Sequence, residues 1–200
     1  MIILDAIRVL SSPLRYLRAK SKTKPYWDWV IPTWLAAAVV WTYVQFPAQL
    51  PLATEKGLFA SVNQLLQVLV GFYIAALAAV ASLNSVSLDQ AVEGDPVSIV
   101  QRGLSEPVVL NRRRLISMMF AYLSFTSIAI YTLGVVAILG RDIFNDIVPI
   151  AAKESIKVSF LAFYTIALVQ SVCITLVTLF YLGDRMHRQT PTALPPESVV

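Results

Sequence analysis

The stretch SVNQLLQVLVGFYIAALAAVASL, residues 61–83, decides the fold of this chain. It carries no charged residue and is long enough to cross the hydrocarbon core of a bilayer, which needs about 20 apolar residues. Three amides stand near its beginning, and one glycine and a series of alanines follow. The stretch therefore predicts a membrane-spanning helix with a polar end and many small side chains.

Three other uncharged runs have a similar length, and the predicted spans are about 29–46, 58–83, 115–139 and 158–182. The composition agrees, because 57% of the residues are hydrophobic and 14% are charged, against about 25% charged in soluble domains. We predict an all-α integral membrane protein with four transmembrane helices in an oligomeric bundle. Its predicted parts are a cytoplasmic amphipathic and basic segment (1–25), a transmembrane domain (26–182) with a cytoplasmic loop (84–114), and a flexible cytoplasmic tail (183–200).

The distribution of basic residues predicts the orientation. Twelve of the 16 lysines and arginines flank the spans on the side of the termini and the loop 84–114. Loops rich in lysine and arginine stay in the cytoplasm. We therefore expect both termini to be cytoplasmic.

The N-terminal segment has apolar residues at helical spacing, with basic residues on the opposite side. The apolar set is Ile3, Ile7, Leu10, Leu14 and Leu17, and the basic set is Arg8, Arg15 and Arg18. This pattern is typical of an amphipathic helix whose arginines lie near anionic lipid headgroups. The same pattern also fits a helix packed on the loop 84–114, and the residues leave both interpretations open. For the loop itself we expect one or two short helices.

Aromatic residues mark the entry into the first span. They are Tyr26, Trp27, Trp29 and Trp34. Such rings anchor helices at the membrane interface because they are apolar with one polar group. We favour this interpretation over an aromatic ligand-binding cage.

The second span has a face of small residues, Gly71, Ala75, Ala78 and Ala79. Gly71, Ala75 and Ala79 follow one another at intervals of four, and in lipid such faces allow helix backbones to approach closely. We expect this small-residue face to pack on another helix, within the chain or in a second copy.

Polar side chains within the spans are predicted to bond between helices. They are Asn63, Gln64, Gln67 and Gln170. Amides facing lipid would leave donors unpaired, so we expect Asn63 and Gln67 to meet a partner helix, with Gln170 and Gln45 as candidate partners. The alternative is that the amides line a pore in a ring of subunits.

The run Arg112, Arg113 and Arg114 precedes the third span. It predicts a membrane anchor on the cytoplasmic side, with docking of an acidic partner or of lipid headgroups as alternatives. A run of three arginines is a weak signal for nucleic acid, and we expect no direct nucleic-acid binding. The sequence matches no catalytic motif, and it has one histidine and one cysteine. We therefore predict a protein that is not an enzyme and has no metal site or cofactor.

The segments GFYIAALAAVASL and NRRRLISMMFAYLSF, together with four spans and a basic N-terminal segment, resemble the membrane subunits of Kiwa anti-phage defence systems. The resemblance implies a tetrameric homo-oligomer in the bacterial inner membrane. It also implies a soluble DNA-binding partner on the cytoplasmic side and a role in sensing phage entry.

Two functions remain as hypotheses at this point. The first is an oligomeric inner-membrane sensor and scaffold that recruits and regulates a soluble cytoplasmic effector in bacterial anti-phage defence. The alternative is a small oligomeric channel or holin-like pore that depolarises the membrane.

Overall fold

The computed structural model describes residues 9–47, 49–54, 56–83, 86–90, 97–100 and 107–183. The predictions for Ile3, Ile7 and Arg8 and for the tail from residue 184 onward lie outside these residues. The same holds for residues 91–96 and 101–106 of the loop 84–114.

Helices dominate the described part of the chain. The α-helices are α1 (Ile31–Gln45), α2 (Leu58–Ser82), α3 (Val86–Asp89), α4 (Arg112–Leu139), α5 (Arg141–Ile147) and α6 (Ile150–Gly183). Three of them, α2, α4 and α6, are long and apolar enough to cross a membrane. They coincide with the predicted spans 58–83, 115–139 and 158–182, although α4 begins three residues earlier and α6 eight residues earlier.

The first predicted span, 29–46, has a different construction. A π-helical segment, Tyr26–Val30, runs directly into α1. Pro32 has no N–H to donate to the carbonyl of Asp28, and the N–H of Ile31 bonds to the carbonyl of Tyr26, five residues earlier. Because proline removes the normal helical bond and its ring crowds the carbonyl four residues before it, a wider turn forms here. Alone, the 15 residues of α1 extend about 23 Å, less than the ~30 Å hydrocarbon core.

The long helices run up and down against one another. The pairs Asn63–Gly134 and Val80–Arg113 show that α2 and α4 are antiparallel. The pairs Phe59–Phe160 and Tyr73–Thr175 show that α2 and α6 are parallel. Helix α1 packs on α6, which also contacts α4.

Buried side chains form two clusters, one toward each end of the bundle. The loop-end cluster consists of Phe59, Val62, Leu66, Ile130 and Tyr164. It lies toward the end of the bundle at which residues 46–57 and 140–149 connect the long helices. We call this end of the bundle the loop end. The larger cluster lies toward the opposite end of the bundle, where residues 12–24, α3, the strands and the start of α4 meet. We call this end the basic end.

A small sheet lies at the basic end. Strands β1 (Ser98–Val100) and β2 (Pro107–Val109) pair antiparallel, with Ile99 opposite Val108. Both strands contain β-branched residues, which favour extended pairing. The prediction of one or two short helices for the loop 84–114 is therefore incomplete, because the described residues of this loop contain a strand pair in addition to one short helix, α3.

The N-terminal segment packs on the rest of the chain. Residues Ser12–Arg18 form a 3₁₀ helix that contacts α4, and Tyr16 and Ala19 are buried. Lys20 pairs with Ser98 of β1 through two backbone hydrogen bonds of 2.9 and 3.1 Å. For residues 12–20 the structure therefore favours packing on the loop over the alternative of a helix lying on lipid.

Candidate functional site

A buried carboxylate marks the most unusual polar site of the described chain. Asp28 is 1% exposed and lies in the π-helical segment before α1. Its Oδ1 accepts a hydrogen bond of 3.1 Å from the hydroxyl of Tyr16, and its Oδ2 forms an ion pair with Lys24, one helical turn earlier. A carboxylate that leaves water without such partners carries a large free-energy cost. We call Tyr16, Lys24 and Asp28 the Asp28 cluster.

The Asp28 cluster is held together in a second way. The ammonium group of Lys24 lies 4.3 Å from the centre of the Tyr16 ring, which is a cation–π distance. Burial raises the pKa of Tyr16 well above its ordinary value, and the negative charge of Asp28 raises it further. Tyr16 therefore stays protonated and remains a hydrogen-bond donor to the carboxylate.

The cavity beside the Asp28 cluster is small. Its volume is about 50 Å³, and its walls include Ser21, Thr23, Met119 and Tyr181. A water needs roughly 10–15 Å³ of such space, whereas pockets for organic ligands have about 300–1,000 Å³. The cavity therefore accommodates a few waters. Its size suits a structural contact between the N-terminal segment and the segment before α1 better than a reaction site.

A polar path continues from the Asp28 cluster into the helical bundle. The ring of Tyr16 lies 5.1 Å from the ring of Tyr122, and the hydroxyl of Tyr122 donates a 3.0 Å hydrogen bond to Oε1 of Gln170. The amide nitrogen of Gln170 is buried without a hydrogen-bond partner among the described residues. We expected Gln170 to pair with Asn63 or Gln67. This expectation is wrong, because Gln170 bonds to Tyr122 of α4.

The remaining amides have separate environments. Asn63 is buried against Gly134 of α4, where a Cβ on Gly134 would lie 2.5 Å from Oδ1 of Asn63. The side chain of Gln67 donates a long hydrogen bond of 3.4 Å to the hydroxyl of Tyr131. Gln64 is exposed. Asn63 is therefore enclosed by the chain, although its Oδ1 has no hydrogen-bond partner among the described residues, and Gln67 bonds to α4 while its side chain stays exposed.

The three arginines before α4 differ in their contacts and in their exposure. Arg113 donates to both carboxylate oxygens of Asp89, at 2.8 and 3.2 Å, and to the carbonyls of Val80 and Leu83, at 3.1 and 2.6 Å. A helix leaves its last carbonyls without helical partners, and a cation there is stabilising. We call these contacts the Arg113 clasp, which joins the end of α2 to α3 and α4.

The neighbours of Arg113 differ in exposure. Arg112 is buried, and its backbone N–H donates to the carbonyl of Gln90. Arg114 is exposed, as are Arg15 and Arg18. Arg114, Arg15 and Arg18 are thus the described predicted arginines whose side chains face outward at the basic end.

The small-residue face is exposed in the single chain. Gly71, Ala75, Ala78 and Ala79 all lie on the surface, opposite the side of α2 that buries Leu66, Tyr73 and Val80. A Cβ on Gly71 would meet no described atom within 4 Å. The aromatic residues Tyr26, Trp27, Trp29 and Trp34 are exposed as well.

Sequence reasoning missed the Asp28 cluster. Lys24 and Asp28 are four residues apart, a spacing at which opposite charges pair on a helix. The sequence therefore indicated the contact between two of the three residues of the cluster. Tyr16 lies 12 residues from Asp28 and had none. Comparison with protein-family models, with curated proteins and with solved structures found no match.

Proposed function

We propose that this chain is an oligomeric inner-membrane sensor and scaffold subunit that recruits and regulates a soluble cytoplasmic effector. One observation carries the proposal. A single buried cluster contains side chains of the basic-end surface together with side chains of the long helices. From the surface elements come Tyr16, Ala19, Leu88, Val97, Ile99 and Leu110, and from the helices come Tyr73, Val80, Leu115, Ile116, Met119, Phe120, Tyr122, Leu123 and Ile174.

This shared packing supports transmission between the membrane and the surface. Protein interiors are close-packed, so a shift of one helix displaces its neighbours. The Asp28 cluster joins the N-terminal segment to the start of α1, and the Arg113 clasp joins α2 to α3 and α4. A stimulus that favours one arrangement of the helices would then change the surface that a partner meets.

The proposal includes a fourth span with cytoplasmic termini. The π-helical segment and α1 together cover 20 residues, Tyr26 to Gln45, or about 30 Å at helical rise, close to the hydrocarbon thickness. Contacts along α6 support this, since Trp27 lies in a cavity with Val177 and Tyr43 in one with Lys157. An even number of spans would bring both termini to the basic end, in agreement with the distribution of lysine and arginine.

The proposal includes self-association through the small-residue face. This face is free within the chain, and Gln64 lies on the same side of α2 and is also exposed. An amide that faces lipid lacks hydrogen-bond partners, whereas a second copy of α2 would supply them. The resemblance to Kiwa membrane subunits adds the proposals of a tetramer, of a DNA-binding effector and of a role in anti-phage defence.

The alternative of a depolarising pore has less support. Asn63 is buried against α4 of the same chain, which removes it from a channel between copies, whereas Gln67 makes only a long, exposed hydrogen bond to α4. Planar-bilayer recording of the purified protein tests this alternative directly, because steady conductance that disappears in Asn63→Leu/Gln67→Leu would favour the pore.

The experiment that tests the scaffold function is gentle-detergent purification from the native host, followed by native mass spectrometry. We expect a homo-oligomer that carries one soluble protein in fixed stoichiometry. Arg114→Glu, on the exposed basic end, should release that protein without changing the oligomer. Arg141→Glu makes the same charge change at the loop end and should retain it. A homo-oligomer with no soluble protein would contradict the proposal.

A second pair of variants tests the proposed interface. Gly71→Leu/Ala75→Leu adds bulk to the small-residue face and should reduce the oligomer to monomers. Ala38→Leu, on the exposed side of α1, adds similar bulk outside that face. Oligomers that survive the double change would show that another surface associates.

A further inference from the structure

The loop end contains a second, much larger cavity. It has a volume of about 580 Å³ and lies between the α1–α2 connection, the end of α4, α5 and the start of α6. This volume is within the range of small-molecule sites, about 300–1,000 Å³. The edge-on contact of Phe59 with Phe160, with ring centres 5.5 Å apart, lies in its wall. The cavity is independent of the small-residue face and of the basic end.

The walls of the cavity combine apolar surface with positive charge. The apolar side chains include Leu52, Phe59, Val136, Phe144, Ile156 and Phe160. Arg141 and Lys157 also line it, and among the described residues no carboxylate is part of its wall. Lys157 has one ion pair, with Glu154 at 2.9 Å. The charge of the cavity is therefore complementary to an anion with an apolar part.

The surroundings of the cavity place it against lipid. Ile143, Ile147 and Ile150, in and just after α5, are 64%, 75% and 86% exposed. Isoleucines four residues apart on an exposed helix face are typical of a segment lying in the membrane interface. The side chain of Lys153 donates a 2.7 Å hydrogen bond to the carbonyl of Asn145, which fixes the end of α5 to α6. The wall beside the cavity is thus held in place at the loop end.

We propose that this loop-end cavity binds an anionic phospholipid, with one acyl chain against the apolar wall and the headgroup phosphate at Arg141 and Lys157. Guanidinium and ammonium groups form charge-assisted hydrogen bonds to phosphate oxygens. The apolar wall supplies burial for the chain. Both parts of the ligand are needed, so free phosphate does not satisfy the site. A zwitterionic lipid carries its own cation beside the phosphate, which opposes binding next to Arg141 and Lys157.

Native mass spectrometry of the purified full-length protein tests the site, with phosphatidylglycerol and phosphatidylcholine of identical acyl chains as probes. We expect phosphatidylglycerol to bind with higher affinity. Arg141→Gln and Lys157→Gln should each weaken it about fivefold, the usual effect of one basic residue near a membrane surface. Lys56→Gln removes a charge from the same end outside the cavity and should leave the affinity unchanged.

Two further measurements separate the parts of the site. Ala137→Phe fills the apolar wall and should weaken both lipids equally, with the thermal unfolding midpoint measured to confirm that the variant folds. Inorganic phosphate alone should not compete with phosphatidylglycerol. Equal affinity for the two lipids, competition by free phosphate, or unchanged binding in Arg141→Gln and Lys157→Gln would each overturn the proposal.

Discussion

The hydroxyl of Tyr16 donates a 3.1 Å hydrogen bond to the carboxylate of Asp28, and both side chains are buried. This contact ties the 3₁₀ helix near the N-terminus to the π-helical turn where the chain enters α1. Asp28 also pairs with Lys24, whose side chain is 12% exposed. The carboxylate is thus the point at which the N-terminal segment is joined to the start of α1.

Asp28→Asn should therefore destabilise the protein. The change removes the ion pair and leaves the largely buried ammonium of Lys24 without its counter-charge. Loss of one partner of a buried pair costs roughly 3–5 kcal/mol, and we expect about 2 kcal/mol here because Lys24 retains some access to water. Reversible unfolding in mixed micelles measures the difference. Asp142→Asn, on exposed α5, is the matched control and should stay within about 0.5 kcal/mol of wild type.

Gly134→Ala should destabilise the contact between α2 and α4. The new Cβ would lie 2.5 Å from Oδ1 of the buried Asn63, so the side chain or the helix must move, at a cost of about 1–3 kcal/mol. Gly183→Ala, at the end of α6 and outside the small-residue face, is the matched control, since no described atom lies near its Cβ. The same unfolding measurement compares them. Equal effects of the two substitutions would contradict the packing of Asn63 on Gly134.

Tyr122→Phe should cost more stability than Tyr131→Phe. Tyr122 is the donor to the buried Gln170 at 3.0 Å, whereas the contact of Tyr131 with Gln67 is longer, 3.4 Å, and exposed. Hydrogen bonds between membrane helices contribute about 0.6 kcal/mol on average and up to about 1.7. We expect Tyr122→Phe near the upper value, because it leaves a buried amide oxygen unpaired. A larger loss in Tyr131→Phe would refute this ranking.

Arg113→Gln should loosen the basic end. The variant loses the paired hydrogen bonds to Asp89 and the cation at the last carbonyls of α2. We expect faster hydrogen exchange of backbone amides in α3 and β2 with little change in the middle of α4. Arg114→Gln removes the same charge from an exposed neighbour. Its exchange pattern should match that of wild type, and a similar acceleration would show that charge alone matters.

The Arg113 clasp should also depend on pH. The hydrogen bonds from Arg113 hold the pKa of Asp89 below its ordinary value of 3.8. A carboxylate with a lowered native pKa stabilises the fold above its unfolded pKa, and the effect is lost as the pH falls through the native pKa. The thermal midpoints of wild type and Asp89→Asn should thus differ at neutral pH and converge as the pH falls below the lowered native pKa of Asp89. A difference that persists in acid would assign the effect to another group.

The uncharged runs predicted four spans, and three of them correspond to helices long enough to cross a membrane. Such runs are readable because hydrocarbon thickness is a local constraint on sequence length. Other features depend on contacts between distant residues. Lys20 pairs with Ser98, and Tyr16 bonds to Asp28. In each pair the two residues are apart in the sequence and meet only once the chain has folded. The π-helical turn had one local sign, Pro32, but a proline inside a helix produces either a kink or a wider turn. The sequence alone does not decide between those outcomes.

Helix α6 is longer than the membrane it is proposed to cross. Its 34 residues extend about 51 Å, and even a tilt of 40° fits only about 39 Å into a hydrocarbon core of ~30 Å. About eight residues must therefore stand beyond the hydrocarbon. The first turns of α6 contain Lys153, Glu154 and Lys157, so the overhang is at the loop end. Helix α6 would then extend beyond the bilayer at the loop end, and at the basic end it lies beside the Asp28 cluster. Under the proposed function, a change in membrane thickness would shift α6 along its axis and so displace the side chains that it packs against the Asp28 cluster.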